Sequence, residues 1–406
     1  MAREQTMTQS KGTLEVKANN NSSRRLKTSG ESHLTNDKQV TITFHITSNC
    51  NLRCTYCYQQ HCDAKQIIKL EDAKKVIDCL IDRKLGKSTP FDALVRDDFD
   101  NVMLTFLGGE VTLYMSIVND ICDYFFRQCL EHKFYDLVSR SCIIIDTNGT
   151  TYFNTDVQDF IHKYKDKLLF AITIDGPREC FDKCRRDKNG NSVFDKVEKA
   201  VKQHFSDFGC ETTTKLTFAP DNIQYFFESC KYLASLGFTH LKHSIDVNYI
   251  PDDKFLKEYR QQLLKTIEWI KVTHTPLTLS ALEVEYTKNL QICTCGLATK
   301  AGFTIDWNGD IYICFRFCED SQGTKKIPIG NINTGISNTA FLEQMQCRNF
   351  NNYKKECLDC ECSSACSVCP ADSYYMYGDI NKPFQRCALT KLEAEMSKIY
   401  KAKLGK

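Results

Sequence analysis

The stretch VTITFHITSNCNLRCTYC, residues 40–57, carries most of what this sequence says about its fold. Its first half alternates polar residues with the apolar Val40, Ile42, Phe44 and Ile46. Such an alternation predicts a β-strand. Its second half places three cysteines directly after that strand, at the spacing C-x3-C-x2-C: Cys50, Cys54 and Cys57. Three thiolates on one short loop can hold three irons of a [4Fe–4S] cluster, which normally takes four cysteines. The remaining iron would stay open to a ligand from outside the chain.

Further strand and helix patterns follow this stretch in regular order. Apolar strand candidates lie at 102–107, 141–146, 168–174, 213–218 and 240–247. Helical patterns lie at about 70–85, 115–131, 154–165, 194–206, 222–236 and 253–272. Six strand-then-helix units predict an α/β fold with a parallel sheet and outer helices, a partial (β/α)6 barrel that resembles a TIM barrel. Chemistry in such barrels gathers at the carboxyl ends of the strands, where the cysteine loop falls.

The composition narrows the function classes. The chain has 406 residues and a formal net charge of +2, so it lacks the basic excess typical of nucleic-acid binders. No apolar run reaches the roughly 18 residues of a membrane span, and the polar start lacks a secretory signal, so we expect a cytoplasmic location. Of the 23 cysteines, 11 lie between Cys293 and Cys387. In a large chain without an export signal, this density favours metal–thiolate ligation over disulfides.

The C-x3-C-x2-C loop, with the aromatic Tyr56 before its last cysteine, resembles the radical S-adenosylmethionine (SAM) enzymes. The resemblance implies that Cys50, Cys54 and Cys57 hold the catalytic [4Fe–4S] cluster and that SAM binds its open iron. In that family, reductive cleavage of SAM yields a 5′-deoxyadenosyl radical, which abstracts a hydrogen atom from the substrate. The cofactors carry this chemistry, and the protein binds and orients them.

Four further segments resemble SAM-contacting parts of that family, each near a strand end. Gly108-Gly109-Glu110 matches a segment that binds the SAM amino group, and Asn148 lies in a Thr-Asn-Gly turn that resembles a ribose contact. Asp175 begins an Asp-Gly-Pro turn that recurs in the family, and Arg185 matches an arginine that contacts the SAM carboxylate. The plainer alternatives are an ordinary turn at Asn148, a structural role for Asp175, and surface charges at Arg185 and its neighbour Arg186.

The C-terminal cysteines resemble the SPASM extension of radical SAM enzymes that modify peptides and proteins. The pattern is Cys295-x13-Gly309-x4-Cys314, then Cys357-x2-Cys360-x5-Cys366-x2-Cys369, then Cys387. The resemblance implies two auxiliary [4Fe–4S] clusters, hence three in all. Cys295, Cys314 and Cys369 would hold one, with Cys293 or a substrate thiolate at its fourth site. Cys357, Cys360, Cys366 and Cys387 would hold the other.

Two departures leave the ligand assignment open. The last interval is x2, where the family has x3, and Cys362 is an extra cysteine. Cys318, Cys347 and Cys362 are therefore alternative ligands, and a zinc-knuckle tail is the competing interpretation. We expect three regions: a disordered polar arm at 1–38, a radical SAM barrel at 39–285, and a SPASM domain with a C-terminal helix at 286–406.

The resemblance indicates the reaction class more closely than the substrate. Sulfatase-maturing relatives carry an aspartate base directly after the second cysteine of the SPASM hairpin, where this chain has Phe315. Because Phe cannot accept a proton, we expect a peptide maturase that forms a thioether from a Cys sulfur to a carbon. The alternatives are a carbon–carbon cross-linking or epimerising maturase, and a sulfatase-maturase-like enzyme. A radical enzyme acting on RNA and a non-enzymatic zinc or iron–sulfur module are the competing classes.

The expected partners follow from the same resemblance. They are a precursor peptide and an electron donor such as flavodoxin or ferredoxin, with no nucleic acid and no membrane. Residues 1–38 are too short for the winged-helix module with which such maturases often bind a leader peptide. Leader binding would then need a separate protein or another surface of this chain.

Overall fold

A single sheet of 11 strands organises the chain in the computed structural model. The structure describes residues 38–59, 66–209, 214–289, 300–318, 326–346, 355–366, 369–380, 382 and 386–405. The strands are β1 (Gln39–Thr47), β2 (Asn101–Gly108), β3 (Cys142–Thr147), β4 (Leu168–Thr173), β5 (Thr214–Phe218), β6 (His240–Ile245), β7 (Thr278–Leu279), β8 (Gly302–Ile305), β9 (Asp310–Tyr312), β10 (Gly330–Asn331) and β11 (Gly335–Ile336). The α/β fold expected from the sequence is confirmed.

The helices alternate with the strands of the first part of the chain. They are α1 (Leu70–Lys84), α2 (Met115–Glu131), α3 (Tyr135–Arg140), α4 (Thr155–Tyr164), α5 (Arg178–Cys184), α6 (Phe194–Phe208), α7 (Phe226–Ser235), α8 (Asp253–Thr273), α9 (Ser280–Glu283), α10 (Thr339–Gln346), α11 (Lys355–Leu358), α12 (Pro370–Tyr377) and α13 (Cys387–Leu404). Of the helices in these described ranges, none has the length and apolar character that crossing a bilayer requires.

The first six strands form the parallel part of the sheet. Strands β1 to β6 lie side by side in chain order, and each pairs parallel to the next. The parallel arrangement brings their carboxyl ends to one edge, where the loops after β1, β2, β3 and β4 meet. The short β7 extends this part by pairing parallel to β6.

The chain after residue 300 continues the same sheet on the other side of β1. Strand β8 pairs parallel to β1, with Thr41 opposite Gly302 and Phe44 opposite Ile305. Strands β9, β10 and β11 then follow as antiparallel neighbours, giving the order β11-β10-β9-β8-β1-β2-β3-β4-β5-β6-β7. The strand that carries the cysteine loop therefore lies between the barrel and the C-terminal hairpin.

One face of each strand is covered by helices. On β1 the residues Val40, Ile42, Phe44 and Ile46 are fully buried, as the alternation predicts. Helix α1 buries the stripe Ala73, Val76, Ile77, Leu80 and Ile81, whose spacing of three and four residues puts them on one helix face. The opposite strand face, which lines the inside of the open barrel, carries the polar residues.

Candidate active site

The cysteine loop after β1 is fixed by backbone hydrogen bonds to the end of α5 and to the segment that follows it. The amide of Arg53 donates to the carbonyl of Arg186 at 2.8 Å, and the amide of Thr55 donates to the carbonyl of Cys184 at 2.9 Å. Leu52 forms an antiparallel bridge with Asp187. These contacts hold Cys50, Cys54 and Cys57 on a short irregular loop at the carboxyl edge of the barrel.

The Gly-Gly-Glu segment after β2 packs directly against the start of this loop. The amide of Gly109 donates to the carbonyl of Thr47 at 2.8 Å, and the amide of Glu110 donates to the carbonyl of Asn49 at 2.9 Å. A Cβ atom added at Gly109 would lie 2.3 Å from the Asn49 carbonyl oxygen. The close backbone approach therefore requires glycine at this position.

The Glu110 carboxylate joins the end of β2 to the end of β3. It is buried. One oxygen accepts from the Thr112 amide at 3.1 Å and from the Thr147 hydroxyl at 2.6 Å. The other accepts from the Asn148 amide at 2.7 Å. Both oxygens thus have partners within the protein, so the side chain shapes the two loops, and the backbone of the segment is the part that can face a ligand.

Asn148 lies against the first cysteine of the loop. Its side-chain amide donates to the Asn51 carbonyl oxygen at 2.8 Å and lies 3.9 Å from the Cys50 sulfur. Its own carbonyl oxygen accepts from the Thr150 amide at 2.9 Å. The turn after β3 therefore contributes a fixed polar side chain beside Cys50.

Three of the residues singled out in the sequence form one buried hydrogen-bonded group. The Tyr56 hydroxyl donates to Asp175 at 2.5 Å and accepts from the Arg185 guanidinium at 2.8 Å. The other Asp175 oxygen accepts from the Thr217 amide at 2.9 Å. Burial raises the pKa of Asp175, while the nearby Arg185 charge and the hydrogen bonds oppose that shift. Asp175 thus anchors Tyr56 and Arg185 from the end of β4.

The electrostatics of the loop fit metal ligation. Burial raises the pKa of Cys50 to about 12, and the Glu110 charge adds to that shift. Burial likewise raises the pKa of Cys54 to about 11, although the Arg185 charge opposes the shift. Thiols in such surroundings ionise only with compensation, which coordination to a metal supplies as it displaces their protons.

Arg185 provides an independent indication of a missing ligand. Its side chain is only 5% exposed, beside Cys54, and within the described residues its Nε atom is buried without a hydrogen-bond partner. A buried guanidinium with an unused donor is suited to a carboxylate, which it binds with strong charge-assisted hydrogen bonds. The residues therefore fit a [4Fe–4S] cluster on the three cysteines with an amino acid-like ligand beside it.

The described C-terminal cysteines fall into two groups. Burial is the main cause that raises the pKa of Cys369 to about 12, and the charges of Asp372 and of Cys314, two residues after β9, add to that shift. Burial also raises the pKa of Cys366 to about 11, and four neighbouring thiols add to that shift: Cys387, Cys357, Cys360 and Cys362.

Of the remaining candidate ligands in the C-terminal part, some are described by the structure and others are not. Cys318 is buried near the Cys314 carbonyl, whereas Cys293, Cys295 and Cys347 lie outside the described residues. Among the side chains that the structure does describe, no group of three or more His, Cys, Asp or Glu is arranged to hold a single metal ion.

Sequence reasoning missed a buried pair that joins the barrel to the C-terminal hairpin. Nδ1 of His45, on β1, lies 2.7 Å from a carboxylate oxygen of Asp306, which follows β8. The Gln59 amide lies 3.3 Å from Nε2 of His45. The only signal in the sequence was a histidine at an inward-facing position of the first strand, five residues before Cys50.

A second missed feature surrounds the residue after Phe315. The guanidinium of Arg316 lies 5.2 Å from the centre of the Tyr58 ring and 5.0 Å from that of Tyr375. It also donates to Asp372 at 3.0 Å. This group connects the cysteine loop, through Tyr58, with α12.

The fold and the sequence relatives agree on a class. The chain is similar to the radical SAM enzymes of the SPASM type, although no protein-family profile matches it. It is 31% identical over 163 residues to a cysteine-type anaerobic sulfatase-maturating enzyme of Clostridium novyi, a match that spans 38% of this chain and 37% of that protein. It is 25% identical to the subtilosin biosynthesis protein AlbA of Bacillus subtilis, over 48% of this chain and 37% of AlbA. A serine-type sulfatase-maturating enzyme of Bacteroides thetaiotaomicron is 23% identical, over 81% of this chain and 82% of that protein.

Solved structures show the same fold over most of the chain. The sulfatase-maturating enzyme anSMEcpe, with AdoMet and a bound peptide, superposes with a TM-score of 0.65 at 16% identity, covering 91% of this chain and all of that chain. SuiB of Streptococcus suis, bound to its precursor peptide SuiA, superposes with a TM-score of 0.55 at 13% identity, covering 87% and 76%.

Proposed function

We propose that this protein is a radical SAM maturase that modifies a peptide or protein substrate. The observation that carries the proposal is the buried Arg185 beside Cys54, whose Nε atom has no hydrogen-bond partner among the described residues and lies next to a three-cysteine loop. The relatives support it, because they are named as sulfatase-maturating enzymes and as a bacteriocin biosynthesis protein.

Each part of the site has a role in this proposal. Cys50, Cys54 and Cys57 would hold a [4Fe–4S] cluster, and Arg185 would bind the carboxylate of SAM. The backbone of Gly108, Gly109 and Glu110 would receive its amino group, and Asn148 its ribose. When bound, these cofactors supply a carbon radical that abstracts hydrogen. The protein orients SAM. The carboxylates of Glu110 and Asp175, each hydrogen-bonded to neighbouring residues, keep the surrounding loops fixed.

The C-terminal cysteines would hold two auxiliary [4Fe–4S] clusters, three clusters in all. Cys314 and Cys369 belong to one group, with Cys293 and Cys295 as the further candidates, and Cys357, Cys360, Cys366 and Cys387 belong to the other. A precursor peptide is the proposed substrate, with flavodoxin or ferredoxin as electron donor. The oxygen-sensitive thiolate sites favour a reducing, cytoplasmic location.

We propose thioether formation as the specific reaction. The position that carries an aspartate base in sulfatase-maturing enzymes is Phe315 here, and its ring lies 6.1 Å from that of Tyr58. A phenyl ring cannot take the proton of a substrate thiol. Formylglycine formation is the second candidate, because sulfatase-maturating enzymes are among the sequence relatives and one of them matches over most of its length.

Anaerobic turnover with mass spectrometry tests both. The reconstituted protein, a reductant and SAM are incubated with a cysteine-containing precursor peptide and, separately, with a sulfatase-derived cysteine peptide. A thioether removes two hydrogens and makes the thiol resistant to alkylation, whereas formylglycine formation removes two hydrogens and also replaces the sulfur with oxygen. Arg185→Met should weaken SAM binding in equilibrium dialysis, and Arg186→Met, on the exposed neighbour, should not. Absence of 5′-deoxyadenosine from protein with a full iron content would contradict the radical proposal.

A further inference from the structure

The inner face of β6 presents a lysine toward the inside of the open barrel. Alternate residues of a strand face opposite sides, and on β6 Leu241, His243 and Ile245 are buried on the helix side. His243, for example, contacts the Tyr259 hydroxyl of α8 at 2.6 Å. Lys242 therefore points to the inner face, where it is exposed.

The neighbouring strand β5 places a second lysine beside it. Leu216 and Phe218 are buried on the helix side, so Lys215 lies on the inner face. Lys215 and Lys242 are direct partners in the pairing of β5 with β6, and adjacent strands lie about 4.8 Å apart. Two ammonium groups thus share one short stretch of the barrel wall.

One carboxylate balances only one of these two charges. Lys215 reaches across to form an ion pair with Asp146 of β3. Among the described residues, none forms an ion pair or a hydrogen bond with the Lys242 ammonium group. Although the Lys242 side chain is exposed, the surrounding barrel wall partly desolvates it and lowers its pKa. The neighbouring Lys215 charge lowers this pKa further, while Asp146 acts in the opposite direction. The group therefore carries one unbalanced positive charge on a partly enclosed surface.

The charged group lies directly below the candidate active site. Asp146 precedes Asn148 by two residues, and Lys215 precedes Thr217, whose amide binds Asp175, by two residues. Since a strand rises about 3.3 Å per residue, the group lies roughly 7 Å deeper in the barrel than the loops that surround the cysteines. A substrate group that passes the active-site loops would reach it.

We propose that Lys242, next to the Lys215–Asp146 ion pair, forms a subsite for a carboxylate of the peptide substrate. The proposal rests on the proposed function in taking a peptide as the substrate. A second carboxylate would balance the group, with two ammonium and two carboxylate charges. Because an ammonium is a compact point charge, an acidic side chain and a C-terminal carboxylate share the chemistry that it recognises. A carboxylate fixed at this depth would determine which residue of the peptide lies level with the cysteine loop.

Affinity selection tests the subsite without requiring turnover. The anaerobically reconstituted holoenzyme is incubated with a pool of synthetic pentapeptides that carry a central cysteine and random flanking residues, in one arm with free and in another with amidated C-termini. Bound peptides are identified by mass spectrometry. The variants are Lys242→Gln and Lys242→Arg, with Lys254→Gln as the control. Lys254 is exposed on α8, so the control removes the same charge from the outer surface.

We expect wild type to enrich one class of carboxylate about fivefold, a contact worth about 1 kcal/mol. Acidic side chains enriched in both arms identify a side-chain ligand, and preference for the free-terminus arm identifies the C-terminal carboxylate. Lys242→Gln should lose the enrichment, and Lys242→Arg and Lys254→Gln should keep it. Equal enrichment by Lys242→Gln, or none by wild type, would overturn the subsite. Failure of the radical proposal would appear separately, as absent 5′-deoxyadenosine with the carboxylate selection intact.

Discussion

At the scale of single residues, the candidate site depends on side chains that form hydrogen bonds with one another. Glu110 is engaged by Thr112, Thr147 and Asn148, and Asp175 by Tyr56 and Thr217. A residue matched to a SAM-contacting motif can therefore act by positioning its neighbours. Spacing along the sequence could select these residues, but it could not show which of their atoms remain available.

Gly109→Ala tests how closely the loops must approach. The added methyl carbon would lie 2.3 Å from the Asn49 carbonyl oxygen, and backbone must move to relieve that contact. Because Asn49 precedes Cys50, we expect a loss of at least about tenfold in SAM affinity, equivalent to about 1.4 kcal/mol, with lower iron content of the first loop. Equilibrium dialysis and iron analysis measure both.

The control for this change is Gly86→Ala. A Cβ atom at Gly86 meets no atom within 4 Å, so this variant adds a methyl group without a steric clash. The φ of 77° at Gly86 adds a local backbone strain of its own. The variant should retain wild-type SAM affinity. If Gly109→Ala binds SAM with normal affinity, the close approach of the Gly109 backbone to Asn49 is not needed for SAM binding.

At the scale of elements, the sequence predicted most of the secondary structure correctly. The strand candidate at 102–107 is observed as Asn101–Gly108, and the helix expected at 253–272 is observed as Asp253–Thr273. These elements are long and strongly periodic, so local pattern determines them. The short β7, at Thr278–Leu279, and the pairing of β8 with β1 could not be predicted, because two residues carry no periodicity and pairing partners lie far apart in the chain.

The contact between α8 and α13 contains a carboxyl whose titration affects stability. The Tyr259 hydroxyl lies 3.2 Å from Glu393. Burial is the main cause that raises the Glu393 pKa to about 7, with Tyr259 and Arg386 opposing it. An unfolded Glu has a pKa of about 4.3, so between these values the folded protein holds a proton that the unfolded chain has lost. This group therefore lowers the free energy of unfolding as pH rises from about 4.3 to 7.

Glu393→Gln should remove that dependence. We expect the variant to gain stability relative to wild type as pH rises from 5.5 to 7.5, by an amount on the order of 1–3 kcal/mol. Thermal unfolding at several pH values measures it. Glu343→Gln, at an exposed position of α10, serves as the control and should follow wild type. A constant difference between Glu393→Gln and wild type across this range would contradict the assignment.

At the scale of the whole molecule, the barrel and the cysteine-rich C-terminal part share one sheet. Strand β1 pairs with β2 on one side and with β8 on the other. On the inner face, the contact between His45 and Asp306 joins β1 to the residue that follows β8. The domain boundary expected near residue 285 separates the two cysteine patterns along the chain. In space, the same boundary falls between β1 and β8, which are paired. The strand that presents the first cysteine loop thus depends on a segment about 260 residues later.

Truncation after residue 289 tests this dependence. Without β8, strand β1 becomes an exposed edge with unpaired backbone groups, and buried His45 loses its carboxylate partner. We therefore expect the truncated chain to aggregate or to bind SAM at least about tenfold more weakly than the full chain, a cost of about 1.4 kcal/mol or more. The double variant Cys357→Ala, Cys360→Ala distinguishes the contribution of the auxiliary thiols to SAM binding from that of the sheet, because it removes two sulfurs and keeps β8. It should bind SAM like wild type. If the truncated chain stays monomeric and binds SAM normally, the barrel forms its site without the C-terminal hairpin. If the truncated chain and the double cysteine variant both lose SAM binding, the auxiliary cysteines rather than the shared sheet support the first loop.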